Sequence, residues 1–268
     1  MPLVVVPTPI GNLEDVTLRA LRELGDADLV LCEDTRRTKT LLQRHGVEAK
    51  LLSYHAHNEA KRVAELVPRL EEGERIALAS DAGLPALNDP GARLISAALE
   101  RGVEVVVLPG PSAIETALVA SGLVGERYAF LGYLPRRAEE LARLWEEIGS
   151  WSWPVVAFES PRRLPRSLAS LAAADPERAV AVCRELTKRH EEVVRGMAQE
   201  VAKRFEEPPK GEITLVFGPA AGAPQVASAD ASAAVAELVA AGVPRRQAAD
   251  VVARLTGLSR NALYRESL

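Results

Sequence analysis

Three loops rich in glycine and proline follow predicted strands and are the segments of the sequence best suited to hold a ligand. They cover residues 7–12, 80–91 and 109–113. Glycine lets a ligand approach the backbone closely, and in open α/β sheets ligands bind beyond the carboxyl ends of the strands. Any one of these loops alone is well explained as an ordinary turn between a strand and a helix. The three together predict a binding site.

The common signatures of nucleotide-binding and hydrolytic sites are absent from the sequence. No G-x-G-x-x-G follows the first strand and no G-x-x-x-x-G-K-[ST] occurs, which disfavours a Rossmann dehydrogenase and a P-loop enzyme. There is no H-E-x-x-H or G-x-S-x-G, and Ser112 lacks the glycines of a nucleophile elbow. His55 and His57 would give a metal two ligands without an evident carboxylate partner, so we expect a polar role in a substrate loop and no metal site.

The elements that must position these loops alternate between strand and helix, which predicts an α/β sheet. The first strand covers Leu3–Val6, Asp15 is expected to cap the first helix, and a strand over 103–108 precedes the third loop. After Gly122 the pattern changes, and the spacing of strands there predicts a mixed sheet. Those later strands are predicted over 128–131, 155–158, 179–183, 192–195 and 213–217.

Four units are expected along the chain. An N-terminal α/β domain covers 1–112, and a second α/β domain with the mixed sheet covers 113–218. A linker rich in alanine, glycine and proline covers 219–230. Residues 231–268 read as three short helices separated by turns, with five arginines and three acidic residues, and predict a small unit of the helix-turn-helix type.

The composition is that of a globular protein. The chain has 268 residues, a net charge of -4, 26% charged and 47% hydrophobic residues, which excludes a disordered chain, a collagen and a small disulfide-stapled protein. Cys32 and Cys183 lie in apolar runs without metal-binding spacing, so we expect buried free thiols in a reducing compartment. No basic signal region and no apolar run of ~20 residues occurs, so no membrane association and a cytoplasmic location are expected.

A set of strings, spread in order along nearly the whole chain, resembles one known family. With them the chain is similar to the small-subunit ribosomal RNA (cytidine-2'-O)-methyltransferases of the tetrapyrrole methylase superfamily. The strings are VPTPIGNL at 6–13, EDTR at 33–36, HNE at 57–59, SDAG at 80–83, NDPG at 88–91, LPGP at 108–111, GYLP at 132–135, ES at 159–160, RELTK at 184–188, KGE at 210–212 and NALY at 261–264.

The resemblance implies a two-domain α/β methylase that holds S-adenosylmethionine between its domains, without the Rossmann glycine fingerprint, and that forms a homodimer. Asp81 is the strongest single candidate for a cofactor contact, because a carboxylate can accept hydrogen bonds from the cofactor and complement its positive charge; the alternative is a turn or helix cap. The cofactor residues that the family implies are Pro7, Pro9, Gly11, Ser80, Asp81, Ala82, Gly83, Leu84, Pro111, Ser112, Ala113, Leu131, Leu186, Gly211, Glu212 and Ile213.

Transfer of a methyl group to a ribose oxygen requires in-line positioning and a group that accepts the hydroxyl proton. Three of the four candidates have an alternative role: a phosphate contact or a surface charge for the lysine, an ion pair with Arg36 for the aspartate, and a place beside the Asn58 helix cap for the histidine. The candidates for this base are Lys188, Asp34, His57 and Glu159.

The expected partner is 16S rRNA within the 30S subunit, and arginine doublets are the candidate phosphate contacts. The alternative is a solvated arginine-rich surface. Two rival functions stay open: a methylase of a tetrapyrrole or another small molecule, and an rRNA-binding assembly protein without catalysis. The candidate RNA-binding residues are Arg36, Arg37, Asn58, Arg136, Arg137, Arg162, Arg163, Arg245 and Arg246, and the doublet formed by Lys188 and Arg189.

Overall fold

The computed structural model describes residues 3–220, 228–256 and 258–267. Its first sheet has five parallel strands in the order β3-β2-β4-β1-β5. The apolar runs of β1, β2 and β4 are fully buried, as is typical of parallel strands covered on both faces. The strands are β1 Leu3–Val6, β2 Leu29–Cys32, β3 Leu51–Ser53, β4 Ile76–Ala79 and β5 Val105–Val107.

Helices cover both faces of this sheet and confirm the predicted alternation. The start of the first helix differs from the prediction: Asn12 caps a short 3-10 turn over Leu13–Asp15, and Thr17, rather than Asp15, caps α1 by accepting a hydrogen bond from the backbone of Ala20. The helices are α1 Leu18–Gly25, α2 Thr35–Arg44, α3 Glu59–Glu71 and α4 Ala92–Glu100.

The second sheet is mixed, as predicted. Its order is β6-β7-β10-β8-β9; β6 and β7 are parallel, and the other neighbours are antiparallel. Helix α5 follows β5 and packs against this second sheet through Ile114, Ala117 and Leu118. The elements are α5 Ala113–Ser121, β6 Ala129–Tyr133, α6 Ala138–Ile148, β7 Val155–Glu159, α7 Leu164–Ala174, β8 Ala179–Arg184, β9 Glu192–Met197, α8 Ala198–Arg204 and β10 Ile213–Phe217.

The C-terminal unit consists of α9 Ser228–Ala240, α10 Arg245–Thr256 and α11 Arg260–Glu266. Its small core includes Val235, Val252 and Leu263, and the Ser259 side chain caps α11 by accepting a hydrogen bond from the Ala262 backbone. The last three residues of the expected linker, 228–230, belong to α9, and residues 221–227 of that linker lie outside the described residues.

Two further observations concern the whole fold. Cys32 and Cys183 are both buried and unpaired, as expected. Among the described residues, no helix has the length and apolar character needed to cross a membrane.

Candidate active site

Two cavities of about 410 and 340 Å3 lie where the carboxyl ends of the first sheet face the second sheet. They share Ile10, Arg37, Asp81, Ala82 and Glu212 and so form one cleft. Most of the predicted cofactor residues line this cleft. They are Pro9, Gly11, Ser80, Asp81, Ala82, Gly83, Leu84, Ser112, Ala113, Gly211, Glu212 and Ile213.

Four predicted cofactor residues are not among those that line the cleft. Pro7 packs against Gly110, where an added Cβ atom would lie 2.4 Å from the Pro7 ring. Leu131 packs against the core of the second sheet, and Leu186 is buried beside Ile10. Pro111 lies behind Gly83 with its carbonyl oxygen toward it. These four residues therefore contact other parts of the protein and do not line the two cavities.

Backbone pairing fixes the loops that follow β1 and β4. Thr8 and Gly83 exchange two backbone hydrogen bonds, each 2.9 Å long. The Thr8 hydroxyl donates to the Ser80 carbonyl oxygen at 3.0 Å, and the Ser80 hydroxyl donates to the Gly83 carbonyl oxygen at 2.9 Å. Gly83 has φ +79°, a conformation that favours glycine. This part of the cleft wall is therefore preformed.

Asp81 joins the loop after β4 to the loop after β2. One carboxylate oxygen accepts a hydrogen bond from the Asp34 backbone at 2.9 Å, and the other lies 3.4 Å from the Arg37 guanidinium. Asp81 therefore connects two loops of the cleft, and its negative charge lies at both cavities.

Two of the four candidate bases are held in ionised states unsuited to accepting a proton. Arg36 binds the Asp34 carboxylate through both its side chain and its backbone N–H, which lowers the pKa of Asp34 to about 2. The Lys188 ammonium donates to Glu185 at 2.9 Å and to Glu212 at 3.0 Å. Burial works against the lysine charge, but the hydrogen bonds to these carboxylates outweigh it, so the pKa of Lys188 is raised.

Lys188 instead joins the two halves of the cleft. A Cβ atom on Gly11 would lie 2.4 Å from the Lys188 side chain, so only glycine permits this close approach. Next to it, the Asn12 backbone N–H donates to the Thr187 hydroxyl at 3.0 Å. The loop after β1 is thus fastened to the loop after β8.

Glu159 has an interior role, although it lies beside the larger cavity. Its buried carboxylate accepts hydrogen bonds from the Ser160 backbone at 2.7 Å and the Ser167 hydroxyl at 2.5 Å. It also pairs with Arg163 at 2.5 Å. Through these contacts the Glu159 carboxylate connects the end of β7 to α7.

His57 and Asn58 do not line either cavity. The Asn58 side chain accepts a hydrogen bond from the His55 backbone at 2.9 Å and donates to the Ser53 carbonyl oxygen at 3.1 Å. It closes the turn before α3, and it makes no side-chain hydrogen bond to cap that helix.

Many side chains of the arginine doublets are exposed, and several of them, exposed ones included, are paired with acceptors of the protein. Arg36, Arg37, Arg136, Arg162 and Arg246 are exposed, and Arg37 lines both cavities. The paired side chains are Arg36 on Asp34, Arg37 on Asp81, Arg163 on Glu159 and the Leu134 carbonyl oxygen, Arg137 on Glu140, and Arg245 on the Ser267 carbonyl oxygen.

Asp89, Tyr133 and Phe158 are among the residues that line the cleft and were not candidate site residues in the sequence. Burial, with Glu33 and Asp81 nearby, raises the pKa of Asp89 to about 6. Asp89 and Tyr133 both lie inside strings that carry the family resemblance, and this was the only feature of the sequence that could have pointed to them. Among the described residues, no group of three or more His, Cys, Asp or Glu side chains is arranged to hold a metal ion.

We expect Glu159→Gln to lower the free energy of unfolding by about 2 kcal/mol, since it weakens buried hydrogen bonds to a charged group. Urea denaturation measures this change. Glu139→Gln, at an exposed position of α6, is the matched control and should stay within about 0.5 kcal/mol of the parent protein. Full stability with a hundredfold loss of activity would instead give Glu159 a part in the chemistry.

Two family models match the chain. The Tetrapyrrole (Corrin/Porphyrin) Methylases match residues 2–202, and the RsmI C-terminal HTH domain matches residues 225–268. Among solved structures, the methyltransferase CobJ superposes with a TM-score of 0.64 at 18% identity and covers 82% of this chain and 95% of its own. The uroporphyrin-III C-methyl transferase of Thermus thermophilus, complexed with S-adenyl homocysteine, has a TM-score of 0.57 at 19% identity and covers 81% and 97%. These likenesses show the fold.

Curated relatives are closer in sequence. The Ribosomal RNA small subunit methyltransferase I of Mesorhizobium japonicum is 42% identical over 272 residues, which cover 99% of this chain and 91% of the relative. The protein of the same name from Thermotoga maritima is 43% identical over 216 residues, which cover 80% and 97%. The chain therefore belongs to the tetrapyrrole methylase family and, within it, to the ribosomal RNA small subunit methyltransferase I group.

Proposed function

We propose that the protein transfers a methyl group from S-adenosylmethionine to small-subunit ribosomal RNA, at the ribose 2'-oxygen of a cytidine. The observation that carries the proposal is the preformed cleft, lined by the family's cofactor loops, in a chain whose curated relatives bear the name of this rRNA methyltransferase. The two α/β domains, divided near residue 112, would each supply one wall of the cleft. The packing of α5 against the second sheet supports this division.

The cleft suits S-adenosylmethionine in size, surface and charge. Its larger cavity, of about 410 Å3, falls within the range of small-molecule sites. Gly83 and Gly211 offer backbone at φ +79° and +99° without side chains, and Ile114 and Phe158 add apolar surface. Carboxylates of Glu33, Asp81, Asp89 and Glu212 line the cavities and favour a ligand with positive charge. The cofactor, when bound, supplies a methyl group on a positively charged sulfur.

Positioning is the main task of this chain in such a transfer. The attacking oxygen must lie about 3 Å from the methyl carbon, opposite the sulfur, so a loop displaced by 1 Å would slow the reaction greatly. The Thr8–Gly83 pairing and the contacts of Lys188 keep the loops of both sheets in place. The fixed loops would therefore orient the attacking oxygen and the methyl group before the proton is transferred.

An exposed aromatic side chain marks where the target nucleoside would enter. Tyr133 borders the larger cavity and is 59% exposed. Its ring packs edge-to-face on Phe158 at a centroid distance of 5.6 Å, and Phe158 packs on Phe130 at 5.0 Å. Bases of single-stranded RNA stack on such rings. Tyr133 is proposed to receive the target base.

Positive charge at the surface would hold the RNA backbone. The net charge of -4 disfavours indiscriminate binding of polyanions, so binding would depend on local arginines. Arg37 lies at the cleft, and Arg246 and Arg260 border one exposed hollow of the C-terminal unit. A 30S particle in the cytoplasm is the proposed substrate, and a homodimer, carried from the family resemblance, is the proposed assembly, which light scattering would test.

The direct test is methyl transfer from labelled S-adenosylmethionine to unmodified 30S subunits and to free rRNA, followed by nucleoside digestion and mass analysis. We expect a 2'-O-methylated cytidine, formed preferentially on the 30S particle. Cofactor binding without label in either RNA would overturn the rRNA assignment and favour a small-molecule methylase. RNA binding without cofactor binding would favour a non-catalytic assembly protein.

We expect Tyr133→Ala to raise KM for 30S subunits by about tenfold, because stacking of one base on an aromatic ring contributes about 1–3 kcal/mol. Tyr133→Phe keeps the ring and is the matched control. Steady-state kinetics with calorimetry of cofactor binding checks both variants. Equal KM values for the Ala and Phe variants would exclude a stacking role.

The double variant Arg246→Ala, Arg260→Ala should weaken 30S binding and leave the affinity for S-adenosylmethionine unchanged. Each lost phosphate contact reduces the slope of log affinity against log salt by about one. Filter binding across a salt series measures that slope. Arg101→Ala, which removes an arginine from a surface pair with Glu71 in the N-terminal domain, is the control. A slope equal to that of the parent protein would exclude this surface as an RNA contact.

A further inference from the structure

Asp89 combines placement in the cleft with a carboxylate that no protein group neutralises. It lines the larger cavity together with the cofactor-loop residues Ala82, Gly83 and Ala113. Within the described parts of the chain, no hydrogen bond or ion pair reaches its side chain. Glu33, an exposed residue at the same cavity, likewise has no such partner among the described residues. The remaining carboxylates of the cleft are paired: Asp81 with Arg37, Glu159 with Arg163, and Glu212 with Lys188. Asp89 therefore has free acceptor capacity where a substrate would lie.

The backbone that leads into Asp89 has an unusual conformation, and the backbone that follows it is anchored by hydrogen bonds. Ala86 and Asn88 have φ values of +72° and +61°, in the left-handed region that non-glycine residues rarely adopt. Beyond Asp89, the Gly91 backbone N–H donates to the Glu59 carboxylate at 3.0 Å, and the Tyr54 hydroxyl donates to the same oxygen at 3.1 Å. Strained backbone persists where the surroundings over-determine it, and it is common at active sites.

The surroundings of Asp89 also adjust its basicity. Burial, followed by the negative charges of Glu33 and Asp81, raises the pKa of Asp89 to about 6. At pH 7 to 8 the carboxylate is mostly ionised, yet it is a stronger base than an ordinary aspartate. General bases are most effective when their pKa lies near the working pH.

We propose that Asp89 is the general base of the methyl transfer, an inference that rests on the proposed function. The ribose 2'-oxygen forms a bond to the methyl carbon, and the bond between that carbon and sulfur breaks with its electron pair left on the sulfur. The hydroxyl proton passes to the Asp89 carboxylate and is released to water when the product leaves. Lys188 keeps its own proton, and Asp34 is too weak a base for this task.

Asp89→Asn is the test, in single-turnover methylation of 30S subunits between pH 5.5 and 8.5. The parent protein should slow about tenfold per pH unit well below pH 6 and level off above it, since only ionised Asp89 accepts the proton. The variant should be slower by about 10²–10⁴ at pH 8 and lack this acid limb. Calorimetry should find its affinity for S-adenosylmethionine within about threefold of the parent value.

Glu33→Gln provides a second measurement that does not alter Asp89. Removing a neighbouring negative charge lowers the pKa of Asp89, so the acid limb should move to lower pH. A structural role of Asp89 would not move that limb. Asp26→Asn, an exposed aspartate at the end of α1, is the matched control and should leave both rate and pH profile unchanged.

The outcomes separate the two proposals. An active parent protein with a fully active Asp89→Asn variant, or with an acid limb that neither variant alters, overturns the role of Asp89 alone. Loss of cofactor binding in Asp89→Asn also overturns it, in favour of a binding role. If that variant does not fold, the Glu33→Gln profile decides. A parent protein that binds S-adenosylmethionine and methylates no RNA overturns the proposed function and this inference with it.

Discussion

The pairing of Thr8 with Gly83 is the interaction on which the cleft depends. Strands β1 and β4 are parallel neighbours near the middle of the first sheet, and the loops that follow them are joined by an isolated antiparallel bridge between Thr8 and Gly83. Two backbone hydrogen bonds fix these loops to each other, so this part of the cleft wall is formed before a ligand binds. Because orientation contributes so much to a transfer reaction, a wall of fixed backbone has more value here than a mobile lid.

Opposite charges are separated between the interior and the rim of the cleft. Carboxylates predominate in the cleft, where a positively charged cofactor would bind, and most of the exposed arginines of the doublets lie outside it, where phosphates would bind; Arg37 lines the cleft itself. Carboxylates that lie close together repel each other unless positive side chains pair with them. Asp81 and Glu212 are restrained by Arg37 and Lys188, which leaves their fields in the cleft while reducing their mutual repulsion. A chain of net charge -4 can in this way serve two ligands of opposite sign.

Much of the fold follows from local signals, and the arrangement of the site follows from them only in part. The apolar runs at Leu3–Val6 and Ile213–Phe217 predicted strands correctly, and the glycine loops predicted the cleft. Strand Leu51–Ser53 was missed because a three-residue, half-buried edge strand has little periodicity. The pairing of Glu159 with Ser167, or of Lys188 with Glu212, depends on packing between elements. Local spacing cannot reveal it, so candidate bases that were equal in sequence became unequal in structure.

Stability and function make opposite demands on the loop between β4 and α4. Two residues with positive φ and a partly buried carboxylate without a partner all favour the unfolded state. Because the folded-state pKa of Asp89 is raised, this cost is small below the ordinary pKa of aspartate and grows as pH rises toward 6. The hydrogen bonds from Gly91 and Tyr54 to Glu59 offset part of it from outside the cleft. A loop selected for stability alone would give Asp89 a cationic partner, and that partner would abolish the basicity that the chemistry requires.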